Sequence, residues 1–198
     1  MLKVSHIVNS VYNSMTYILT DYGVADVWIV DCGDVEVLVK TIREIKGEGF
    51  TIKGVLLTHG HYDHIYGLPK LTALFPNLVV YTNAFGKMLL ASERLNMSRY
   101  HDDPINYQTD NVVECAEGDE INLFEGIRAK VHHTPGHCPS CLTYEIGDYV
   151  FSGDAYIPGV KVVTTLRGSN KQQAAQSVER ILKLAEGKQL MPGHQVNY

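Results

Sequence analysis

His59-Gly60-His61-Tyr62-Asp63-His64 sets three imidazoles and a carboxylate within six residues, directly behind the apolar run Gly54-Val55-Leu56-Leu57 and Thr58. Neutral imidazole nitrogen is the commonest protein ligand for transition metals, and carboxylate oxygen often completes such sites. A solvated polar loop is the alternative reading of so short a motif. Three further segments argue against it: Thr134-Pro135-Gly136-His137, Ser152-Gly153-Asp154 and Pro192-Gly193-His194. In each, a glycine beside the polar residue permits a tight turn that aims the side chain out of a sheet edge. A lone His after Pro-Gly would be an ordinary turn residue; its recurrence beside the clustered motif points to metal binding.

The elements that must hold these residues are readable from the flanking pattern. Short β-branched or aromatic runs predict strands over Leu2–Val8, Met15–Thr20 and Val27–Asp31, with Asp21-Tyr22-Gly23 as a turn. Val35, Leu38, Val39, Ile42 and Ile45 recur at helical spacing, and Gly47 stops them. Val55–Leu57 is apolar throughout, which fits a strand buried on both faces. Helices are predicted over Ile65–Leu74 and Ala84–Leu95, with a strand at Val79–Tyr81 between them. The polar, irregular stretch Asn96–Asp110 is long enough to be a functional flap. Strands resume at Glu120–Leu123, Ile127–His133, Cys141–Ile146 and Tyr149–Ser152, and Lys171–Ala185 carries an apolar helical stripe. No repeat, low-complexity tract or linker interrupts this order, so residues 1–198 read as one domain. Its fold class is α/β: two sheets with helices outside them, a four-layer α/β/β/α sandwich.

Composition narrows the function further. The 198 residues suffice for a substantial core, and 45% hydrophobic with 20% charged residues is ordinary for a soluble globular protein. Seventeen basic against 22 acidic side chains give a net charge of -5 with no basic run, which argues against phosphate-driven nucleic-acid binding. The start, Met1-Leu2-Lys3-Val4-Ser5-His6, lacks the apolar stretch of a signal peptide, and no segment approaches the roughly 20 apolar residues that span a bilayer. The expectation is a cytoplasmic protein acting on a small molecule, with neither nucleic acid nor membrane as partner; the pattern does not fix the oligomeric state. Cys32, Cys115, Cys138 and Cys141 are too few and too irregularly placed for a disulfide framework. Cys138-Pro139-Ser140-Cys141 is a C-x-x-C without the strand-then-helix frame of a redox pair; its place after His137 suggests packing around a metal site.

In chain order stand Asp31-Cys32-Gly33, Thr58-His59-Gly60-His61-Tyr62-Asp63-His64, His137, Asp154 and His194. This set resembles the landmarks of the metallo-β-lactamase superfamily nearly end to end. The resemblance implies that His59, His61 and His137 hold one metal. Asp63, His64 and His194 would hold a second, with Asp154 bridging both. Asp31 would support the His loop through hydrogen bonds without being a ligand. Two divalent ions are implied, zinc foremost, with iron or manganese as alternatives. Ions about 3.5–4 Å apart share a carboxylate and a water whose pKa falls from about 15.7 toward 7, and each keeps a position where a substrate oxygen is polarised. Asp63 would also orient that water and shuttle its proton.

An aspartate at position 154, where one type of true β-lactamase has a thiolate, is similar to glyoxalase II-like thioesterases, lactonases and the phosphodiester-cleaving branches. The acidic balance and the lack of a nuclease-type insertion turn the reading away from RNA. Glyoxalase II proper has a helical C-terminal extension without counterpart after His194, so the resemblance implies a short form. The expected function is therefore a binuclear, glyoxalase II-like metallohydrolase that cleaves a small ester, thioester or lactone through a metal-bridging hydroxide. A persulfide dioxygenase-like protein would instead use one iron on His59, His137 and Asp154, and a third possibility keeps the metals for stability alone. β-Lactamase or phosphodiesterase activity is the remaining, more distant expectation.

Tyr12, Tyr62, Tyr66 and Tyr156 lie beside segments expected to rim the cleft, and Tyr156, close behind Asp154, is the first candidate for a substrate contact. Arg167, in Thr164–Asn170, could pair with a substrate carboxylate or be a solvated loop charge. His132 and His133 face opposite sides of a strand and read as supporting residues, not ligands. His6 and His101 read as surface or loop residues, and Cys138 as a small buried filler or an oxidation-sensitive thiol.

Overall fold

A computed structural model describes residues 1–195, so positions 196–198 of the expected domain lie outside the described residues. In chain order its elements are β1 (Lys3–Val8), β2 (Met15–Thr20), β3 (Asp26–Val30), α1 (Val35–Lys46), β4 (Thr51–Leu56), α2 (Tyr62–Ile65), α3 (Leu68–Leu74), β5 (Val79–Thr82) and α4 (Ala84–Leu90). After a short 3-10 turn at Ser98–Tyr100 come β6 (Val112–Glu114), β7 (Glu120–Phe124), β8 (Ile127–His133), β9 (Leu142–Ile146), β10 (Tyr149–Gly153), α5 (Lys171–Leu184) and β11 (Gln189–Pro192). One sheet runs β1-β2-β3-β4-β5-β6 and the other β11-β10-β9-β8-β7. The first is antiparallel from β1 to β3 and parallel from β3 onward; the second is antiparallel except for the β10/β11 edge.

Strand periodicity builds the layers. Along β2, Met15, Tyr17 and Leu19 face the core between the sheets, while Ile18 faces the core beneath the helices. β4 divides likewise, with Val55 and the adjoining Leu57 toward the helices and Leu56 between the sheets, which is why the run is apolar throughout. α1 contributes Val35, Leu38 and Ile42 to the helical side. On the far side α5 brings Ile181 against Val150 of β10. The result is the expected α/β/β/α sandwich. Each fully buried Leu or Ile stabilises it by about 1.5–3 kcal/mol. The polar ends of large core residues are satisfied across the layers: Trp28 Nε1 donates to Leu123 O (2.9 Å) and Tyr144 Oη to Leu57 O (2.9 Å).

Four elements differ from the sequence expectation. The helix expected over Ile65–Leu74 is split, because the His64 carbonyl accepts from Cys32 N (2.8 Å) and the Gly67 amide donates to Cys32 O (3.0 Å). A side chain at Gly67 would put Cβ 2.0 Å from Gly33 O, so only glycine fits that junction. The helix expected to reach Leu95 ends at Leu90, whose carbonyl is taken by Tyr107 N (2.8 Å) returning from the flap. β6 and β11 are short edge strands that the local pattern does not announce. Among the described residues, no helix is long and apolar enough to cross a membrane.

Candidate metal centre

The ligand-type residues stand at the ends of strands from both sheets. Asp31 follows β3, the His59–His64 loop follows β4, His137 lies in the β8–β9 turn, Asp154 follows β10 and His194 follows β11. Leu142 N donates to Thr58 O (2.7 Å), tying the second sheet to the base of the His loop. Chain segments far apart in sequence thus meet outside the strand termini, where irregular backbone is free to turn side chains inward.

Three overlapping sets could each hold a cation: His59, His61 and His137; His59, His64 and Asp154; and Asp63, His64 and His194. In the first, the His59 and His61 rings are 4.8 Å apart, and His61 Nδ1 lies 2.9 Å from His137 Nε2. In the last, His194 Nε2 lies 3.2 Å from Asp63 Oδ2 and 3.3 Å from His64 Nε2. Asp154 stands between them. Its Oδ2 is 3.7 Å from His137 Nε2, while its Oδ1 is 3.4 Å from His64 Nε2 and 3.3 Å from His194 Nε2.

Three of the imidazoles are aimed by their other nitrogen. His137 Nδ1 donates to Val163 O (3.1 Å), and His194 Nδ1 donates to Tyr12 O (2.9 Å). His64 Nδ1 donates to Asp31 Oδ2 (2.8 Å), and Asp31 itself accepts from Thr58 N (2.7 Å) and Thr58 Oγ1 (2.7 Å). Such anchoring fixes tautomer and ring orientation and leaves Nε2 facing the cleft. Asp31 is buried and held at a left-handed φ of 58°, a conformation that its short polar side chain tolerates.

The two ends of the cluster differ in charge state. Burial, then the neighbouring His64, keeps His59 well below the ordinary histidine range; burial, then His137, pushes His61 down to about 4. Burial also opposes the charged form of His64, but Asp63, Asp31 and Asp154 outweigh it and hold His64 well above its usual value. Contact with Asp154 and Asp63 overcomes burial at His194 and pushes it up to about 10. Asp63 and Asp154 are correspondingly held below the usual carboxylate range, against their burial, chiefly by His64.

The cluster fits divalent ions on several observations. His59 Nε2 and Asp154 Oδ1 are buried without a hydrogen-bond partner, a rare state for native polar atoms that a cation would relieve. Gly193 leaves room for the Asp154 carboxylate, since a Cβ there would lie 2.2 Å from its Oδ1. Imidazole with carboxylate is the donor set suited to zinc and similar transition metals.

A family model described as the metallo-beta-lactamase superfamily matches residues 12–194. The chain belongs to that superfamily. A protein of Aquifex aeolicus without assigned function is 29% identical over 181 residues, 89% of this chain and 82% of its own. A hydroxyacylglutathione hydrolase of Xylella fastidiosa is 35% identical over 113 residues, 57% of this chain but only 36% of its own length. Among solved structures, the BLEG-1 B3 metallo-beta-lactamase superposes with a TM-score of 0.85 at 26% identity, covering 98% of this chain and 92% of its own.

On this superfamily fold, several of the residues singled out in the sequence have partners of their own. Tyr156 is half-buried against the small cluster of Cys138, Cys141, Val150, Ala155 and Ile181, and its carbonyl accepts from Ser152 Oγ (2.7 Å). Tyr62 and Tyr66 give their hydroxyls to Asp103 and Asp34, and Tyr62 stacks on His101 at 3.9 Å. Tyr12 contributes its backbone carbonyl to His194. His132 pairs with Glu145 (2.8 Å), His133 Nε2 contacts Pro139 O (3.0 Å), and His6 is exposed on β1. Cys138 and Cys141 are both buried with sulfurs 3.0 Å apart. Beside His61 opens a cavity of about 450 Å³ whose wall includes Arg167 and Cys138. It also includes Phe85 and Met88 of α4, Arg94 just before the flap and Tyr100 on it, none of which the sequence pattern marked.

Proposed function

We propose that this chain is a binuclear metal-dependent hydrolase acting on a small ester, thioester or lactone. His59, His61 and His137 would hold one divalent ion, and Asp63, His64 and His194 a second, with Asp154 shared. The observation that carries this reading is the placement of Asp154, one carboxylate oxygen toward His137 and the other toward His64 and His194. Held by these residues, two such ions, zinc foremost, would supply Lewis-acid polarisation of a substrate carbonyl and a water acidic enough to ionise near neutral pH.

The protein supplies the rest. Asp31 locks His64, and Val163 and Tyr12 carbonyls lock His137 and His194, so the donor atoms are preorganised before substrate arrives. Asp63 Oδ2 sits at the edge of the cluster, where it can orient water and hold its proton before passing it to the leaving group. An Asp63→Asn protein that keeps both metals and its full rate would remove Asp63 from that role. The likeness to a hydroxyacylglutathione hydrolase over 57% of the chain supports acyl cleavage by water. The likeness to BLEG-1 favours a second reading, β-lactam hydrolysis, on the same metal cluster.

The test is a panel of thioesters, lactones and a chromogenic cephalosporin, each assayed with metal-loaded and chelated protein. Turnover of a thioester or ester at least about 100-fold above the cephalosporin, lost on chelation and restored by zinc, is expected. The reverse order would give the β-lactam reading precedence. Acyl hydrolysis that survives chelation would overturn the metallohydrolase altogether.

A further inference from the structure

The cavity beside His61 has walls unlike the rest of the surface, and they narrow the substrate class of the hydrolase proposed above, on which this inference rests. Phe85 and Met88 stand one turn apart on α4, 49% and 57% exposed, and both line the cavity. Tyr100, 76% exposed, lines it from the flap. Large apolar side chains scattered singly on a surface carry little meaning, but three converging on a cavity that contains a candidate ligand do.

The flap that completes the wall is built, not loose. Asn96 and Ser98 are fully buried at its base. Asn96 Nδ2 donates to Ile105 O (2.9 Å), Asn96 Oδ1 accepts from Ser98 N (2.9 Å), and Ser98 Oγ accepts from Ile105 N (2.7 Å). Between them Met97 is held at a left-handed φ of 69° and lines the cavity. A non-glycine residue keeps that conformation only where its surroundings over-determine it, and such places cluster at ligand sites.

Charge supplies the second half of the argument. The chain carries 22 acidic residues, yet none of them lines this cavity, whereas Arg94 and Arg167 do. Arg43, Arg128 and Arg180 are paired with Glu48, Glu120 and Glu117. Arg94 and Arg167 have no carboxylate or hydrogen-bond partner for their guanidinium groups among the described residues. Two unpaired guanidinium groups in a mostly apolar wall are suited to a carboxylate, which a guanidinium can bind in a fixed planar geometry.

We propose that the preferred substrates are anionic amphiphiles: acyl thioesters or esters that join a medium-length apolar group, packed on Phe85, Met88 and Met97, to a carboxylate held by Arg94 and Arg167. In the reaction water adds to the acyl carbon, the C–S or C–O bond breaks, and the thiol or alcohol leaves with a proton, so no oxidant or reductant is needed.

Two measurements on metal-loaded protein test this. The first is calorimetric binding of 3-(octylthio)propanoate, a thioether that cannot be hydrolysed, against its neutral amide. The carboxylate is expected to bind at least about tenfold more tightly, and Arg94→Gln and Arg167→Gln each to narrow that gap about threefold to tenfold. Equal binding of the two probes overturns the proposal. So does a carboxylate preference that persists in the double variant, because the metals would then be holding the anion. The second measurement compares acetyl and octanoyl thioesters of 3-mercaptopropanoate. The octanoyl compound should have the higher kcat/KM, by about twofold to fourfold for each methylene seated in the wall, and Met88→Gln should shrink that advantage. An acetyl compound that matches or exceeds it overturns the apolar half of the proposal. If no thioester is turned over while the thioether still binds through the arginines, the hydrolase reading fails and the ligand class stands.

Discussion

The two ends of the metal cluster are built from the same imidazole chemistry and reach opposite proton states. His59 and His61 are buried among other imidazoles and held neutral, with lone pairs ready for a cation. His64 is also buried and His194 partly so, but Asp31, Asp63 and Asp154 beside His64, and Asp154 and Asp63 beside His194, favour their protonated forms in the metal-free protein. The difference teaches that burial alone does not set a histidine's charge; the number of carboxylates facing it does. One half is preformed for a metal, whereas the other must exchange protons for it.

The largest expected effect comes from breaking the preformed half. His59→Ala should remove the metal from that half and lower turnover by at least about 1000-fold, read by elemental analysis beside the rate. A variant that keeps both metals would break the assignment of His59. Next is Asp31→Asn, which touches no metal but weakens the grip on His64. Metal affinity in the carboxylate half should fall about 10- to 100-fold while the histidine half holds, as followed by competitive chelation. Equal loss from both halves would show that Asp31 only maintains the fold.

The comparison also has a pH consequence. At pH 7, His61, pushed down to about 4, carries no proton to lose, whereas His194, pushed up to about 10, does. Binding a metal through His59 and His61 should therefore displace no excess proton from them, whereas filling the carboxylate half should release protons from His64 and His194. The second metal's affinity then rises with pH up to the range of these two histidines, and it leaves first on acidification. Proton uptake and release during zinc titration in weak buffer measures this; equal release at both steps would erase the distinction between the halves.

The centre itself was legible in the sequence because its signal is local. His59–His64 sits in one turn after an apolar strand, and Gly136, Gly153 and Gly193 mark the turns that expose His137, Asp154 and His194. β2 and β8 were equally legible, their apolar residues having one period and clear turn residues on either side. What failed depends on distant partners. The end of α4 is set by Tyr107 taking the Leu90 carbonyl, and no residue near Leu90 announces it. The cavity wall was invisible for the same reason, since Met97 and Tyr100 reach it only through the Asn96–Ile105 knot.

The smallest expected effect concerns Tyr156, whose ring is half-buried against the layer under α5. Tyr156→Phe should change kcat/KM less than about twofold. A tenfold loss at unchanged thermal stability would make Tyr156 a substrate contact.

The measurement that bears most directly on the account is metal content per chain, by elemental mass spectrometry, after growth with zinc, iron and manganese all available. The account predicts about two metals per chain in the unaltered protein and about one in His194→Ala, with the remaining ion in the histidine half. A single iron per chain, indifferent to His194→Ala, would contradict the two-metal centre and turn the chemistry toward oxygen.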